Sequence, residues 1–335
     1  MRIKRIVFSI FIILIMVLAV LASLSDPLQK LPMLSNRPLP PLDELIPQGT
    51  RADTDVTLRI LLGDGIEEIS MERYVIGVVA AEMPATFELD ALMAQAVAAR
   101  TNALYNIYIK PKLNHPGADI CTDYFCCAAY SNDEFLRDKW ENAYVINITR
   151  VIDAVLSTDG EYISYEDEPI LAVFHSSSAG KTETSGNVWL TDLPYLQSVD
   201  SPETEENVPD YISSVAIPGS VFSEKVKDVY PDAVFSGAEK SWIKDITHTE
   251  SGRVKELVIG GVTIKGTQLR SMFDLRSTAV VFEWDQGNIV FTTTGYGHGV
   301  GMSQYGANVM AKGGIGYRDI LSAYYTDTII VSAES

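Results

Sequence analysis

The stretch NHPGADICTDYFCCAAY around residue 120 holds all three cysteines of the chain, and with His115 it spells H-x5-C-x4-C-C. Three thiols and an imidazole within 13 residues form the ligand set of a tetrahedral Cys3His zinc site, because thiolates and neutral imidazole suit that ion. Closing His115, Cys121, Cys126 and Cys127 over so short a loop would fix it rigidly. A disulfide plus one spare thiol is the competing arrangement, since the chain reads as leaving the cytoplasm. Adjacent Cys126 and Cys127 rarely bridge each other, and either could pair with Cys121.

Glu82, in the segment AAEMP, is the carboxylate best suited to acid catalysis. It falls in the last turn of a predicted helix, where the negative end of the helix dipole disfavours its ionised form. Met83, Pro84 and Phe87 add apolar surroundings, which also favour the protonated acid. Those are the conditions for a general acid near neutral pH, although a solvent-facing Glu at a helix end would read the same way. The segment GYGHGVGMSQYGA places five glycines around His298, so its backbone can approach a ligand closely. It lacks the strand-loop-helix context of a phosphate-binding loop, and a tight buried turn is the alternative. FHSSSAGKT sets His175 beside three serines, but no G-x-S-x-G elbow is present to make a hydrolase of it. His248 lies among polar residues and reads as exposed.

Positioning these groups requires a frame, and its elements are visible in the pattern. TDVTLRILLGDGIEEISM alternates as a hairpin about Gly63-Asp64-Gly65. MERYVIGVVAAEM predicts a helix stopped by Pro84, and DALMAQAVAARTNALYNIYI predicts a second, Ala-rich one. DEFLRDKWENAYVINITRVIDAVLST reads as a helix leading into a strand, and ISYEDEPILAVF as a hairpin. Residues 200–240 read as acidic and loop-rich, while RVKELVIGGVTIKGTQLRSMF and AVVFEWDQGNIVFTTT read as strands around turns. Mixed helices and antiparallel strands without βαβ regularity predict an α+β fold with no fixed-period repeat. A subdomain is expected at about 200–290.

The N-terminus adds a location. Arg2, Lys4 and Arg5 precede the uncharged run IVFSIFIILIMVLAVLASL, which is long enough to cross about 30 Å of hydrocarbon as a helix. The positive-inside rule then puts the N-terminus in the cytoplasm and the body outside. Residues 1–24 are therefore expected to be a single-pass membrane anchor, with a cleaved signal peptide as the alternative. Residues 25–56 are proline-rich and read as an extended linker. The net charge of −18 argues against binding phosphate backbones, so nucleic acid is not an expected partner.

Taken together, RYVIGVVAAEMPATFELDALMAQAVAARTNAL, HPGADICTDYFCCAAY, FHSSSAGKTETSGNVW, LPYLQSV and GYGHGVGMSQYGANVMAKGGIGYRDILSAYY resemble the stage II sporulation protein D (SpoIID) family, which includes amidase-enhancer proteins. The resemblance covers about residues 57–330 and implies a catalytic body with a substrate groove. It implies a lytic transglycosylase that cleaves peptidoglycan glycan strands stripped of stem peptides, during engulfment. The alternative is a non-enzymatic, wall-bound enhancer of a partner amidase. The family's catalytic Glu falls on Glu82, and its zinc ligands fall on His115, Cys121, position 126 and Cys127. Position 126 is Cys here where the family has His, and Ala179 stands where the family usually has Gly. A closed Cys3His site would hold one structural zinc per chain. His298, Ser303, Gln304 and Tyr305 become candidates for the wall of a sugar groove, with Tyr195 beside them. The implied setting is the mother-cell membrane facing the forespore, beside an amidase and a membrane scaffold protein.

Overall fold

The computed structural model describes residues 39–332, apart from 64, 112–114, 125 and 190. The chain divides into Met1–Pro40 and Pro41–Ser335, and the second unit is the body described below. The predicted anchor over 1–24 and the linker as far as residue 38 lie outside the described residues. Among the described residues no helix is long and apolar enough to cross a membrane.

The body is α+β, with short, mostly antiparallel sheets around a helical centre. That centre is Leu89–Leu104, whose alanines Ala91, Ala94, Ala96, Ala98 and Ala99 are all buried. A helix that is apolar on every side belongs inside a domain, and its small side chains let neighbours approach closely. Met71–Glu82, Tyr144–Leu156, Gln304–Lys312 and Tyr317–Tyr324 all pack on it. Thr57–Leu62 and Gly65–Ser70 form the predicted hairpin, and Ile120–Cys121 adds to it in parallel beside Ile60 and Leu61. The first cysteine is thus fixed to a sheet.

A second hydrophobic cluster is drawn from residues between Ile217 and Phe291. Phe222 stacks on Phe273 with ring centroids 5.0 Å apart, and Phe273 on Phe291 at 5.4 Å. Two three-stranded antiparallel sheets supply most of this cluster.

Several predicted elements need correction. The end of the presumed linker is packed: Leu42–Leu45 and Ala52–Asp55 are helical, and Asp53 is buried. Asp53 pairs with buried Arg100 at 2.6 Å, and a buried cation needs such a partner to be tolerated. Residues 133–158 form two helices, Asp133–Trp140 and Tyr144–Leu156, and the next strand starts only at Glu161. The region read as loop-rich contains the strand Ile212–Pro218 and the helix Gly219–Val229. GTQLRSMF is a helix, Gly266–Phe273, rather than a strand.

Candidate active site and metal cluster

Glu82 is the last residue of its helix, which Ser70 caps by accepting a hydrogen bond from Arg73 N at 3.3 Å. Its carboxylate is half-buried and held from two sides. Ala129 N–H donates to Oε1 at 2.9 Å, and Gln304 Nε2 donates to Oε2 at 3.1 Å. Burial pushes its pKa up from the usual carboxylate value, and these two donors pull in the opposite direction without reversing the shift. Among the described residues, no second carboxylate is among the groups that shift this pKa. Each oxygen keeps a further lone pair, so one can carry a proton while both hydrogen bonds stand.

Ala129 reaches Glu82 because the segment after the cysteines lies against the Glu82 helix at Gly77. Ser131 N donates to the Gly77 carbonyl at 3.1 Å, and Tyr130 stacks on Tyr74 at 6.1 Å. A Cβ on Gly77 would meet the Tyr130 ring at 2.3 Å, so only glycine admits this approach. Gln304 arrives from the other direction. Met302–Ser303 pairs in parallel with Phe174–His175, and Ser303 then caps the helix Gln304–Lys312 by accepting from Gly306 N at 3.1 Å. Gly301, at φ +68°, makes this pairing possible: a Cβ there would lie 2.1 Å from the Val173 carbonyl oxygen.

The predicted ligands converge. The ligand atoms of His115, Cys121, Cys126 and Cys127 all lie within 4.8 Å of one another. Cys127 Sγ is 3.7 Å from His115 Nε2 and 3.9 Å from Cys126 Sγ. A tetrahedron of zinc–sulfur bonds near 2.3 Å would set neighbouring ligands about 3.8 Å apart. A disulfide needs sulfurs about 2.05 Å apart, and no cysteine is in one. His115 Nδ1 sits 3.3 Å from the Ala118 carbonyl, a contact that a protonated Nδ1 satisfies and that leaves the Nε2 lone pair facing the sulfurs. Around the cluster, Arg59 grips Asp119 with Nη2 2.7 Å from the carboxylate, and Cys121 N donates to Cys127 Sγ at 3.4 Å. The residues therefore fit zinc.

The predicted sugar contacts separate into three groups. Gln304 is on Glu82, and Tyr305 stands over Phe87 edge-to-face at 5.0 Å. His298 lines a cleft of about 420 Å3 together with Trp189, Asn102, Asn106, Cys126 and Cys127. Burial, aided by Arg270 and Arg253, pushes the His298 pKa down to about 4, so its imidazole is neutral at pH 7. Ser303 and Tyr195 do not face this cleft. Ser303 is fully buried and donates to Glu203, and Tyr195 is 7% exposed with its hydroxyl accepting from Leu171 N at 3.2 Å. Both are braces, because their polar atoms are already engaged inside the body. Glu82 does not line the cleft either, but the Cys126–Ala129 stretch joins the two, with thiols on the cleft wall and an amide on the carboxylate. His175 is buried, with Nδ1 3.1 Å from the Val300 carbonyl and Nε2 2.8 Å from Ser178 Oγ, which makes it structural. His248 is exposed.

Sequence reasoning missed Trp189 and Arg270. Trp189 is 41% exposed and contacts the His298 ring at 5.0 Å. Neither carries a local sequence signal, since exposure on the cleft wall is visible only in the fold.

The fold and site together define a mixed α+β protein with a half-buried, doubly hydrogen-bonded carboxylate near a cysteine-histidine cluster. The Stage II sporulation protein family model matches residues 64–165, which include Glu82 and all four clustered ligands. Over 272 residues the chain is 38% identical to Stage II sporulation protein D of Bacillus subtilis, covering 81% of this chain and 77% of that protein. It is 37% identical to the protein of the same name from Bacillus amyloliquefaciens, covering 81% and 76%. The Amidase enhancer of Bacillus subtilis is 28% identical across 76% of this chain and 40% of its own length. The chain belongs to the stage II sporulation protein D family.

Proposed function

We propose that this protein is a lytic transglycosylase of peptidoglycan, with Glu82 as its acid and base. Protonated Glu82 donates its proton to the glycosidic oxygen between N-acetylmuramic acid and N-acetylglucosamine. The C6 hydroxyl of the muramic acid attacks its own C1, and the Glu82 carboxylate accepts the hydroxyl proton. The products are a freed N-acetylglucosamine 4-hydroxyl and a 1,6-anhydro end, so atoms and protons balance. What carries this reading is a half-buried carboxylate held by the Ala129 amide and Gln304, whose pKa is raised by burial and, among the described residues, is shifted by no second carboxylate. Ordinary glycosidases need two carboxylates, whereas an intramolecular nucleophile removes that need.

His115, Cys121, Cys126 and Cys127 would hold one zinc, whose chemistry here is closure of a loop. The closed loop keeps the Ala129 amide on Glu82. The basic N-terminus and apolar run of residues 1–24 support a body held outside the membrane of the sporulating cell, where glycan strands lie.

The second reading, a non-enzymatic amidase partner, is favoured by the similarity to a protein named Amidase enhancer. Incubating the purified body with peptide-free glycan strands and analysing the ends separates the two. Anhydro ends support the transglycosylase. New reducing ends would make it a hydrolase, and unchanged strands would favour the enhancer.

A further inference from the structure

The cleft beside the cysteine loop differs in charge from the rest of the chain. The protein carries a formal −18, yet among the described residues lining this cleft there is no Asp or Glu. Arg270 is the one guanidinium among the described residues of its wall. Nε of Arg270 donates to the Leu275 carbonyl at 3.1 Å, which fixes the side chain, and no carboxylate among the described residues forms an ion pair with it. Thr267 and Ser271, on the same helix, bring hydroxyls to the same wall.

Behind this wall lies a second guanidinium. Arg253 is 1% exposed, and none of its three side-chain nitrogens has a hydrogen-bond partner. It lies against Gly299, next to His298, where an added Cβ would come 2.7 Å from its guanidinium carbon. Glu183 and Glu203 are near enough to raise its pKa, but their hydrogen bonds go to hydroxyls, amides and Asn187. A fixed guanidinium open to the cleft, ion-paired to no described carboxylate although Asp274 lies near enough to act on its charge, makes a site for an anion, with Arg253 buried behind it.

We propose that Arg270 binds the lactyl carboxylate of a muramic acid residue and so distinguishes peptide-free from peptide-bearing strands. This rests on the glycan reading above. The lactyl carboxylate is the anionic group of a bare glycan strand, and attaching a stem peptide converts it to a neutral amide. A guanidinium prefers the carboxylate because charge-assisted hydrogen bonds are the stronger ones. The placement also suits a strand passing Glu82. Cys127 lines the cleft and Ala129 touches Glu82, and their Cα atoms are at most about 7.6 Å apart along the chain.

The test is calorimetric binding to the full-length protein carrying Glu82→Gln, so that no probe is cleaved. The probes are a GlcNAc-MurNAc tetrasaccharide with free lactyl acids, the same tetrasaccharide as its lactyl carboxamide, and chitotetraose. The acid should bind about 10- to 100-fold more tightly than the carboxamide, with the advantage shrinking in high salt. Adding Arg270→Gln should erase the acid's advantage, and Arg270→Lys should keep part of it. Equal binding of acid and carboxamide by the Glu82→Gln parent would overturn the proposal without any further variant. An unchanged ratio in Arg270→Gln would also overturn it. In either case, continued binding of the tetrasaccharides would leave the glycan reading standing. Failure of all three probes to bind would remove the glycan reading and this proposal together.

Discussion

The loop that brings Ala129 to Glu82 and the loop that brings Gln304 to it meet at one carboxylate, but they are stiffened by different means. The first relies on side chains: four potential metal ligands drawn within 4.8 Å, backed by the Arg59–Asp119 pair. The second relies on backbone and one buried acid. Glycines let Met302–Ser303 pair with Phe174–His175, and Glu203 accepts from Ser178 N, Ser201 Oγ and Ser303 Oγ. Under the proposed reading, one support of the Glu82 carboxylate is sensitive to metal and the other is not. The two supports can be broken separately.

The largest effect should come from the first support. Structural zinc sites in small peptides are worth about 10–16 kcal/mol at neutral pH, so Cys121→Ser or a strong chelator should lower the melting temperature sharply and abolish cleavage. Metal-free protein prepared without chelator, with an unchanged melt after chelation, would remove the metal from the account. Breaking the second support should cost less. Glu203→Ala leaves buried donors without their acceptor, at about 1–3 kcal/mol for each one left unsatisfied. Melting should fall and cleavage should slow while metal content stays at one per chain. Loss of metal in this variant would mean the two supports are not independent.

Gly77→Ala tests the contact that joins the first loop to the helix. Overpacking of a tight site costs about 1–3 kcal/mol, so a modest loss of stability with a larger loss of rate is expected. A variant as active and as stable as the parent would show that the Tyr130 approach does not position Ala129.

Gln304→Ala should have the smallest effect. Its amide stabilises the ionised Glu82, so its removal pushes an already raised pKa further up. A general acid works below its pKa and fails above it, so the alkaline limb of the pH–rate profile should move to higher pH. A limb moving to lower pH would contradict the assigned hydrogen bond.

Glu82 and the four ligands could be read from sequence because each carries a local signal: a helix end before proline, and three thiols with an imidazole in one short segment. The groups that tune Glu82 carry none. Ala129 acts through its backbone from 47 residues away, and Gln304 lies 222 residues away. The packed end of the linker was hidden for the same reason, since Asp53 reads as a solvated acid until Arg100, 47 residues on, is seen beside it. Ile212–Pro218 was obscured by its exposure, with five of its seven residues open to solvent and no clean alternation to read. Ser303 and Tyr195 sit in segments that the resemblance marks, but their polar atoms serve the body's own hydrogen bonds.

The proposed function requires Glu82 to perform the proton transfers of glycan cleavage. The direct measurement is the rate of anhydro-end formation from peptide-free strands by the parent and by Glu82→Gln, with melting temperature and metal content recorded for both. Loss of a general acid costs about 10²–10⁴ in rate, so Glu82→Gln should fall by at least that lower bound while keeping its fold and metal. If the variant retains more than about a tenth of the parent rate, well above what loss of such an acid allows, Glu82 is not the acid and the account fails.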